Sequence, residues 1–410
     1  MNKKYALLLF FSMFIKISHA QVLTPEDSLA AGLIATSHRT VISGYGEAFV
    51  SGDLKQKDAE ANLERVVLFI GHKFSQRISL FTEMELEDAL VAGGIEGGEG
   101  SGEISMEQAF VKFDLNQSNY LVAGLFIPRI GIINENHLPT TFNGIERPFV
   151  EQLVIPATWR ALGIGYYGSS SKIRGLNYSL SLTNGLNSER FENGSGIREG
   201  RPQGSKAKGL GLMLNGSILY YINNFRFQYS TAYSGTTALE QRIADSLELN
   251  SGALANPVFL NEFNMQYRSN GIEIKALACL LNIKGAGNIN RAFANNTPNT
   301  IFGAYAEIGY DLLSQQKKEH TNALILFARA EYLDMNQQIA ENGIANDANK
   351  KTYILAGLTY KPLKGVAIKV DYTQRMTGNQ NPALIITPFP QLAPYYTSKG
   401  FINVGLAYNF

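Results

Sequence analysis

Charged side chains of both signs lie in the long segment 129–160, which lacks the regular alternation found in much of the chain. Prolines recur in and beside this segment, while Phe142, Phe149 and Trp159 supply enough apolar surface for it to pack as an ordered loop. Long ordered loops commonly carry function, and side chains of both signs on such a loop attract or repel ions. We expect the loop to turn inward and to place these charged residues around a constriction: Arg129, Glu135, Glu146, Arg147, Glu151 and Arg160.

Histidines would indicate acid–base or nucleophilic catalysis, and a hydrolase site needs one beside a serine or an aspartate. The expected topology places His38, His72 and His320 at one end of the molecule, away from His137. No recognisable nucleophile motif surrounds His137. A glycine-rich acidic segment at 93–102 has spacing too irregular for a calcium loop. We therefore expect no enzymatic activity, no cofactor and no metal site.

Alternating apolar and polar residues recur from residue 41 to residue 410. The two-residue period is that of a β-strand with one apolar face. About sixteen such runs have the length of a tilted membrane-crossing strand, roughly 9–11 residues. After residue 20, no apolar stretch reaches the ~18 residues of a transmembrane helix. The sequence therefore predicts an all-β fold over 39–410: a single transmembrane antiparallel β-barrel of about 16 strands.

The connections between these runs alternate in length. Outer-membrane barrels have short periplasmic turns and long extracellular loops, whereas a soluble β-sandwich has no reason to show this asymmetry. We expect the long connections to face the outside of the cell, and they are predicted at 51–63, 88–103, 129–160, 184–206, 235–257, 284–299, 335–350 and 376–399.

Charged residues on the polar faces of the strands are expected to point into the barrel lumen. Basic and acidic residues are equally numerous on these faces, which predicts a lumen of weak charge selectivity. A barrel of this size is not filled by its own side chains, so we expect the lumen to be wide and to be narrowed by the loop 129–160. An acidic stripe on one strand either attracts cations locally or is a solvated wall. The candidate site residues that we expect to face the lumen are Glu83, Glu85, Glu87, Lys112, Arg226, Lys275, Arg329, Lys369 and Arg375.

The two ends of the chain have their own patterns. Residues 1–20 have two early lysines, a short apolar run and small residues before position 21, as a secretory signal peptide does. Residues 21–38 are then a periplasmic lead-in segment. The final strand resembles the terminal strand of bacterial outer-membrane barrels, which the β-barrel assembly machinery reads through an aromatic residue. That resemblance implies Tyr408 and Phe410 as the assembly signal.

A sixteen-stranded barrel whose third long loop enters the lumen resembles the trimeric porins of Gram-negative bacteria. The stretch from Arg147 to Trp159, in a glycine-rich strand context, is most similar to the phosphate-selective porin O/P group. The resemblance covers the barrel in architecture and transfers no binding residue. It implies an outer-membrane location in a Gram-negative bacterium, a homotrimer as a candidate assembly, and passive diffusion of small hydrophilic solutes or ions.

The charge balance limits the partners. The chain has 36 basic and 35 acidic residues, and loss of residues 1–20 removes three lysines. A nearly neutral chain offers no basic surface for nucleic acid. The expected partners are outer-membrane lipid, the β-barrel assembly machinery and small hydrophilic solutes. The alternative that stays open is a non-conducting outer-membrane adhesin or structural barrel, with an outer-membrane hydrolase less favoured.

Overall fold

The described part of the chain closes into one antiparallel barrel. Each of its sixteen strands pairs with its neighbours in sequence, and β1 pairs with β16, which confirms the predicted all-β fold. The predicted signal peptide (1–20) and lead-in segment (21–38) lie outside the described residues. The computed structural model describes residues 39–87, 103–202, 211–237, 239–315, 322–384 and 394–410.

The strands are longer on one side of the barrel than on the other. Their bounds are β1 Thr40–Asp53, β2 Asp58–Lys73, β3 Ile78–Glu87, β4 Glu103–Asp114, β5 Asn119–Phe126, β6 Ala161–Ser169, β7 Leu176–Asn184, β8 Leu212–Ile222, β9 Phe225–Ser234, β10 Val258–Ser269, β11 Ile272–Ile283, β12 Thr300–Asp311, β13 Ala323–Gln338, β14 Lys350–Leu363, β15 Val366–Thr377 and β16 Ser398–Asn409. In their described parts, the connections contain three short α-helices, α1 Phe149–Leu153, α2 Gln241–Ser246 and α3 Ala286–Phe293. Among the described residues, no helix has the length and apolarity needed to cross a membrane.

The strands direct apolar side chains outward and small or polar side chains inward. In β16, Ile402, Val404 and Leu406 are each 47% exposed, whereas Asn403 and Ala407, at alternate positions, are buried. This is the alternation of a strand with lipid on one side and the lumen on the other. The outer surface of the barrel is therefore apolar along its strands.

The last residue takes part in barrel closure. The Phe410 N–H donates to the Gly44 carbonyl at 3.0 Å, and the Gly44 N–H donates to the Phe410 carbonyl at 3.2 Å. Beside this pair, Gly46 leaves room for the Tyr408 ring, because a Cβ on Gly46 would lie 2.6 Å from the Tyr408 hydroxyl oxygen. The aromatic end of β16 thus packs on β1, and its role as an assembly signal stays a prediction.

One predicted long connection is a tight turn. Residues 51–63 were expected to form a long loop, but β1 extends to Asp53 and β2 begins at Asp58, with only residues 54–57 between them. The polar residues of this hairpin hide the strand period, since strand positions outside the hydrocarbon layer have no need of apolar side chains. Most of the predicted loop 88–103 lies outside the described residues.

The connection after β5, residues 127–160, lies inside the barrel; it is called the constriction loop below. Its helix α1 packs against the inner face of β12 at Gly303, where a Cβ would lie only 2.8 Å from the Val150 side chain. Phe149 stacks on Tyr353 of β14 at a ring-centroid distance of 3.9 Å, and Trp159 is fully buried. The loop therefore has a hydrophobic core shared with the barrel wall.

Candidate functional site

Glu151 fixes the shape of the constriction loop. Its Oε2 accepts hydrogen bonds from the backbone N–H groups of Ile132 at 2.8 Å and Ile133 at 2.7 Å, and its Oε1 accepts the Tyr305 hydroxyl at 2.6 Å. Gly131 has a φ of +77°, and a Cβ there would lie 2.6 Å from the same Oε2. Burial raises the pKa of Glu151, although these hydrogen bonds act in the opposite direction. The carboxylate thus joins α1, the start of the loop and the barrel wall.

Inward-facing charges of the distant wall hold the same loop. The Ile145 N–H donates to Asp371 Oδ2 at 2.8 Å, and the Val150 N–H donates to Glu331 Oε2 at 3.0 Å. Arg329 donates to the backbone carbonyl of Glu146 at 3.0 Å and pairs with Glu331 at 2.8 Å. These buried carboxylates and guanidinium groups are therefore satisfied largely by loop backbone and by each other.

The nine predicted lumen-facing residues fall into two groups. Five of them are buried against the constriction loop or against neighbouring wall charges, and four are half-buried. The buried group is Glu83, Glu85, Lys275, Arg329 and Lys369, and the half-buried group is Glu87, Lys112, Arg226 and Arg375.

A polar cavity of about 80 Å³, called the outer cavity, separates the constriction loop from strands β1 to β3. On the strand side, Arg65 pairs with Glu47 at 2.7 Å, Glu85 at 2.9 Å and Glu64 at 3.0 Å, and Glu87 lies 3.9 Å away. One guanidinium group cannot neutralise four carboxylates. The strand side of the outer cavity is therefore negatively charged.

The opposite side of the outer cavity is rich in arginine. It is lined by Arg147 and Arg160 of the constriction loop and by Arg198 and Arg201 of the connection after β7, with Glu146 among them. Arg201 donates to backbone carbonyls of the constriction loop, which docks the two connections together. Burial and the nearby Arg198 and Arg160 lower the pKa of Arg201 to about 10. Arg201 thus stays charged at neutral pH, and this side is positive.

The predicted constriction residues separate into two sets. Glu146, Arg147 and Arg160 line the outer cavity. Arg129 and Glu135 form an ion pair at 2.7 Å, and Glu151 is enclosed within the loop. Arg198 and Arg201 are not among the predicted constriction residues, because the length of their connection does not show which of its side chains face the lumen. A concentration of arginines in that connection, at Arg190, Arg198 and Arg201, was the available signal.

A second cavity, called the inner cavity, has a volume of about 310 Å³. It lies on the other side of the constriction loop, toward the short turns, since Lys364 of the β14–β15 turn lines it. Arg268, Lys275 and Lys361 also line it, against one carboxylate, Glu273. Glu273 pairs with Arg268 at 2.9 Å and with Lys275 at 3.2 Å. The inner cavity therefore has an excess of positive charge.

His137 anchors the constriction loop to the wall formed by β3 and β4. Its Nε2 lies 3.3 Å from Glu83 Oε1 and 3.3 Å from Glu107 Oε2, and its Nδ1 lies 3.1 Å from the Asn134 carbonyl oxygen. Burial lowers the pKa of His137, but the nearby carboxylates of Glu107 and Glu83 raise it by more, so that the pKa lies well above its usual value. Arg160 Nη1 lies 3.9 Å from Glu107 Oε1, and a proton on His137 or a bound cation adds to the positive charge that faces the two carboxylates.

Glu107 was not among the predicted lumen residues because a β-bulge reverses the alternation in β4. Met84 pairs with Met106 and Glu83 pairs with Gln108, so Glu107 is an extra residue between them. A bulge re-aims the side chain that it inserts. Counting alternate positions along β4 therefore assigns Glu107 to the wrong face.

In comparisons with known proteins, the similarity of fold is clearer than the similarity of sequence. No family model matches the chain. An uncharacterized protein of Aquifex aeolicus is 26% identical over 346 residues, which cover 81% of this chain and 75% of that protein.

Three solved outer-membrane proteins share the architecture. OmpT of Vibrio cholerae is 10% identical with a TM-score of 0.52, covering 92% of this chain and 99% of its own. The anion-selective porin of Comamonas acidovorans is 11% identical with a TM-score of 0.52, covering 90% and 99%. OmpF of Salmonella typhi, solved with daunomycin, is 12% identical with a TM-score of 0.53, covering 90% and 97%. The chain therefore has the fold of a porin-like outer-membrane β-barrel.

Proposed function

We propose that this protein is an outer-membrane pore for the passive diffusion of small hydrophilic solutes and ions. The observation that carries the proposal is the constriction loop, which crosses the barrel interior with a polar, charged cavity on each side of it. A sixteen-stranded barrel without such a loop would be wide and unselective. The loop supplies a narrow section, and the charged side chains beside it supply a preference among solutes.

We further propose a modest preference for anions. The outer cavity presents five arginines and five glutamates, so its net effect is weak and its charges are separated across the opening. The inner cavity presents four basic side chains against Glu273. A positively charged vestibule raises the local concentration of anions.

The other expectations from the sequence follow as proposals. The outer membrane of a Gram-negative bacterium is the proposed location, and a homotrimer is the proposed assembly, since OmpT of Vibrio cholerae has been solved in a trimer form. An enzymatic function is not proposed, because the partners of the His137 ring nitrogens are a backbone carbonyl and two carboxylates, and none of them is a nucleophilic hydroxyl or thiol. A non-conducting adhesin or structural barrel is the competing function.

The proposal is tested by single-channel recording of the refolded protein in a planar lipid bilayer. Discrete conductance steps are expected, with a reversal potential under a salt gradient whose sign indicates anion preference. Insertion is verified separately by the heat-modifiable mobility of the folded barrel. A barrel that inserts and stays electrically silent would establish the non-conducting alternative.

Acidification is expected to strengthen the anion preference through Glu146. Burial raises the pKa of Glu146; Glu47 adds to this, and Gln152, Arg65 and Arg329 oppose it. A carboxyl with a raised pKa loses its negative charge at a higher pH than ordinary glutamates, as the pH falls from 7 toward 4.5. The outer cavity then becomes more positive.

The measurement is the reversal potential at steps of pH, compared between the unmodified protein and the Glu146→Gln variant. The variant lacks this titrating group, so its reversal potential should change less over the same interval. Identical pH curves for the two proteins would show that Glu146 does not face the conducting path.

A further inference from the structure

We propose that Glu83, Glu107 and His137 form a binding site for a divalent transition-metal ion, with Zn²⁺ as the best fit. The site fastens the constriction loop to the barrel wall. It is independent of whether the pore conducts. The three ligand atoms, one from each residue, lie within 4.8 Å of one another, and all three residues are buried.

The distances within this cluster fit ligands around a metal better than ligands sharing a proton. A charge-assisted N–H···O bond is normally about 2.7–2.9 Å long, whereas His137 Nε2 lies 3.3 Å from each carboxylate oxygen. One N–H also has a single hydrogen and cannot point at both oxygens, although Glu107 Oε2 accepts a further hydrogen bond from the Tyr45 hydroxyl at 3.1 Å. Zn²⁺ binds histidine nitrogen and carboxylate oxygen at about 2.0–2.2 Å with tetrahedral angles, which places the ligand atoms about 3.3–3.6 Å apart.

Each proposed ligand is also held by a second hydrogen bond on its far side. His137 Nδ1 faces the Asn134 carbonyl at 3.1 Å, so this nitrogen carries a hydrogen, and Nε2 is the nitrogen whose proton an ion would replace. Glu83 Oε2 accepts from Gln108 at 2.6 Å, and Glu107 Oε1 accepts from the Thr158 hydroxyl at 2.7 Å. Outer partners of this kind are characteristic of metal ligands, because they fix the tautomer and the orientation of each donor.

The charges of the cluster are complementary to a divalent cation. Two carboxylates and a neutral imidazole together carry a charge of minus two, which a divalent ion cancels in this buried place. A proton on His137 cancels half of it, and the nearest other cation is Arg160, whose Nη1 lies 3.9 Å from Glu107 Oε1. Imidazole combined with carboxylate suits zinc and its neighbours in the first transition series, and a water molecule completes the coordination in sites with three protein ligands.

The ligands come from three separate parts of the chain. Glu83 is on β3, Glu107 is the inserted residue of the β4 bulge, and His137 is on the constriction loop. They meet only when the loop lies inside the barrel. An ion bound here therefore stabilises the loop in its inward position. The β-bulge contributes to the site because it turns Glu107 toward the loop.

The test is the metal content of the refolded, full-length mature protein. Zn²⁺ is supplied both during and after refolding, since the site is buried, and weakly held ion is removed by dialysis before elemental analysis. One Zn²⁺ per chain is expected. The Glu107→Gln and His137→Gln variants should bind at least 100-fold more weakly, and Glu135→Gln, a matched change elsewhere in the same loop, should bind normally.

Two further measurements separate a metal site from a folding defect. Thr158→Val leaves all three ligands in place and removes one outer hydrogen bond, so it should reduce affinity by about 10- to 100-fold. Co²⁺ in place of Zn²⁺ should give the visible absorption of a tetrahedral site, and that absorption should be absent from the Glu107→Gln variant. If the unmodified protein retains no stoichiometric Zn²⁺ and shows no Co²⁺ spectrum, the cluster is an imidazolium ion between two carboxylates and the proposal is wrong. Neither readout requires that the barrel conduct.

Discussion

Replacement of Glu151 with alanine is expected to raise the single-channel conductance several-fold while leaving the barrel folded. The change removes the acceptor of three buried hydrogen bonds, from the Ile132 and Ile133 N–H groups and the Tyr305 hydroxyl. An unsatisfied buried donor costs about 1–3 kcal/mol, and the change orphans three of them, so the inward conformation of the loop is destabilised although its contacts with Asp371 and Glu331 remain. The strand ladder does not depend on this carboxylate.

The measurement is single-channel conductance in a planar bilayer, beside the heat-modifiable mobility that reports the closed barrel. Tyr305→Phe is the matched control, because it removes one of the three donors without orphaning the two backbone groups, and its effect should be much smaller. If Glu151→Ala forms a closed barrel with unchanged conductance, the loop does not set the narrowest section.

Opposite changes of ion selectivity are expected from neutralising the two sides of the outer cavity. The Arg198 side chain is 30% exposed on the arginine side, and the Glu87 side chain is 41% exposed on the strand side. Arg198→Gln should shift the permeability ratio toward cations, and Glu87→Gln should shift it toward anions. One unit charge acting at 4 Å in water is worth about 1 kcal/mol, which corresponds to about a fivefold change in each ratio.

Reversal potentials under a gradient of dilute salt measure both shifts. The recordings use dilute salt because charges are screened over about 10 Å at 0.1 M and over about 3 Å at 1 M. Lys172, an exposed residue in the β6–β7 turn at the other end of the barrel, provides a control through Lys172→Gln, which should have little effect. Shifts of the same sign for Arg198→Gln and Glu87→Gln would contradict a cavity with oppositely charged sides.

The barrel itself could be predicted from sequence because lipid imposes a rule on each strand. Outward side chains must be apolar, so the period of two is visible in β16 at Ile402, Val404 and Leu406. The period of two is lost at strand positions that do not face lipid. The β1–β2 hairpin has polar residues beyond the hydrocarbon layer, and its extent was hidden for that reason.

The interior was harder to predict, and for two physical reasons. A single inserted residue reverses every later assignment on a strand, which is why Glu107 was missed. In addition, the charged residues of the constriction loop have no period at all. Their types could not show that Glu146 would line a cavity while Glu151 would be enclosed by the loop, since this depends on contacts with β12 and on the positive φ of Gly131.

The pairing of β1 with β16 has a consequence for folding kinetics. Every other pair of neighbouring strands joins through a connection between consecutive elements, whereas the contact of Ser43 with Phe410 spans 367 residues. The entropy of closing so long a stretch grows only with the logarithm of its length, so the equilibrium penalty is modest. The time that passes before β1 and β16 pair matters more, because both strands have unpaired edges until then. Such edges pair readily with other chains. The seam between these two strands is thus where the folding chain divides between a closed barrel and an aggregate.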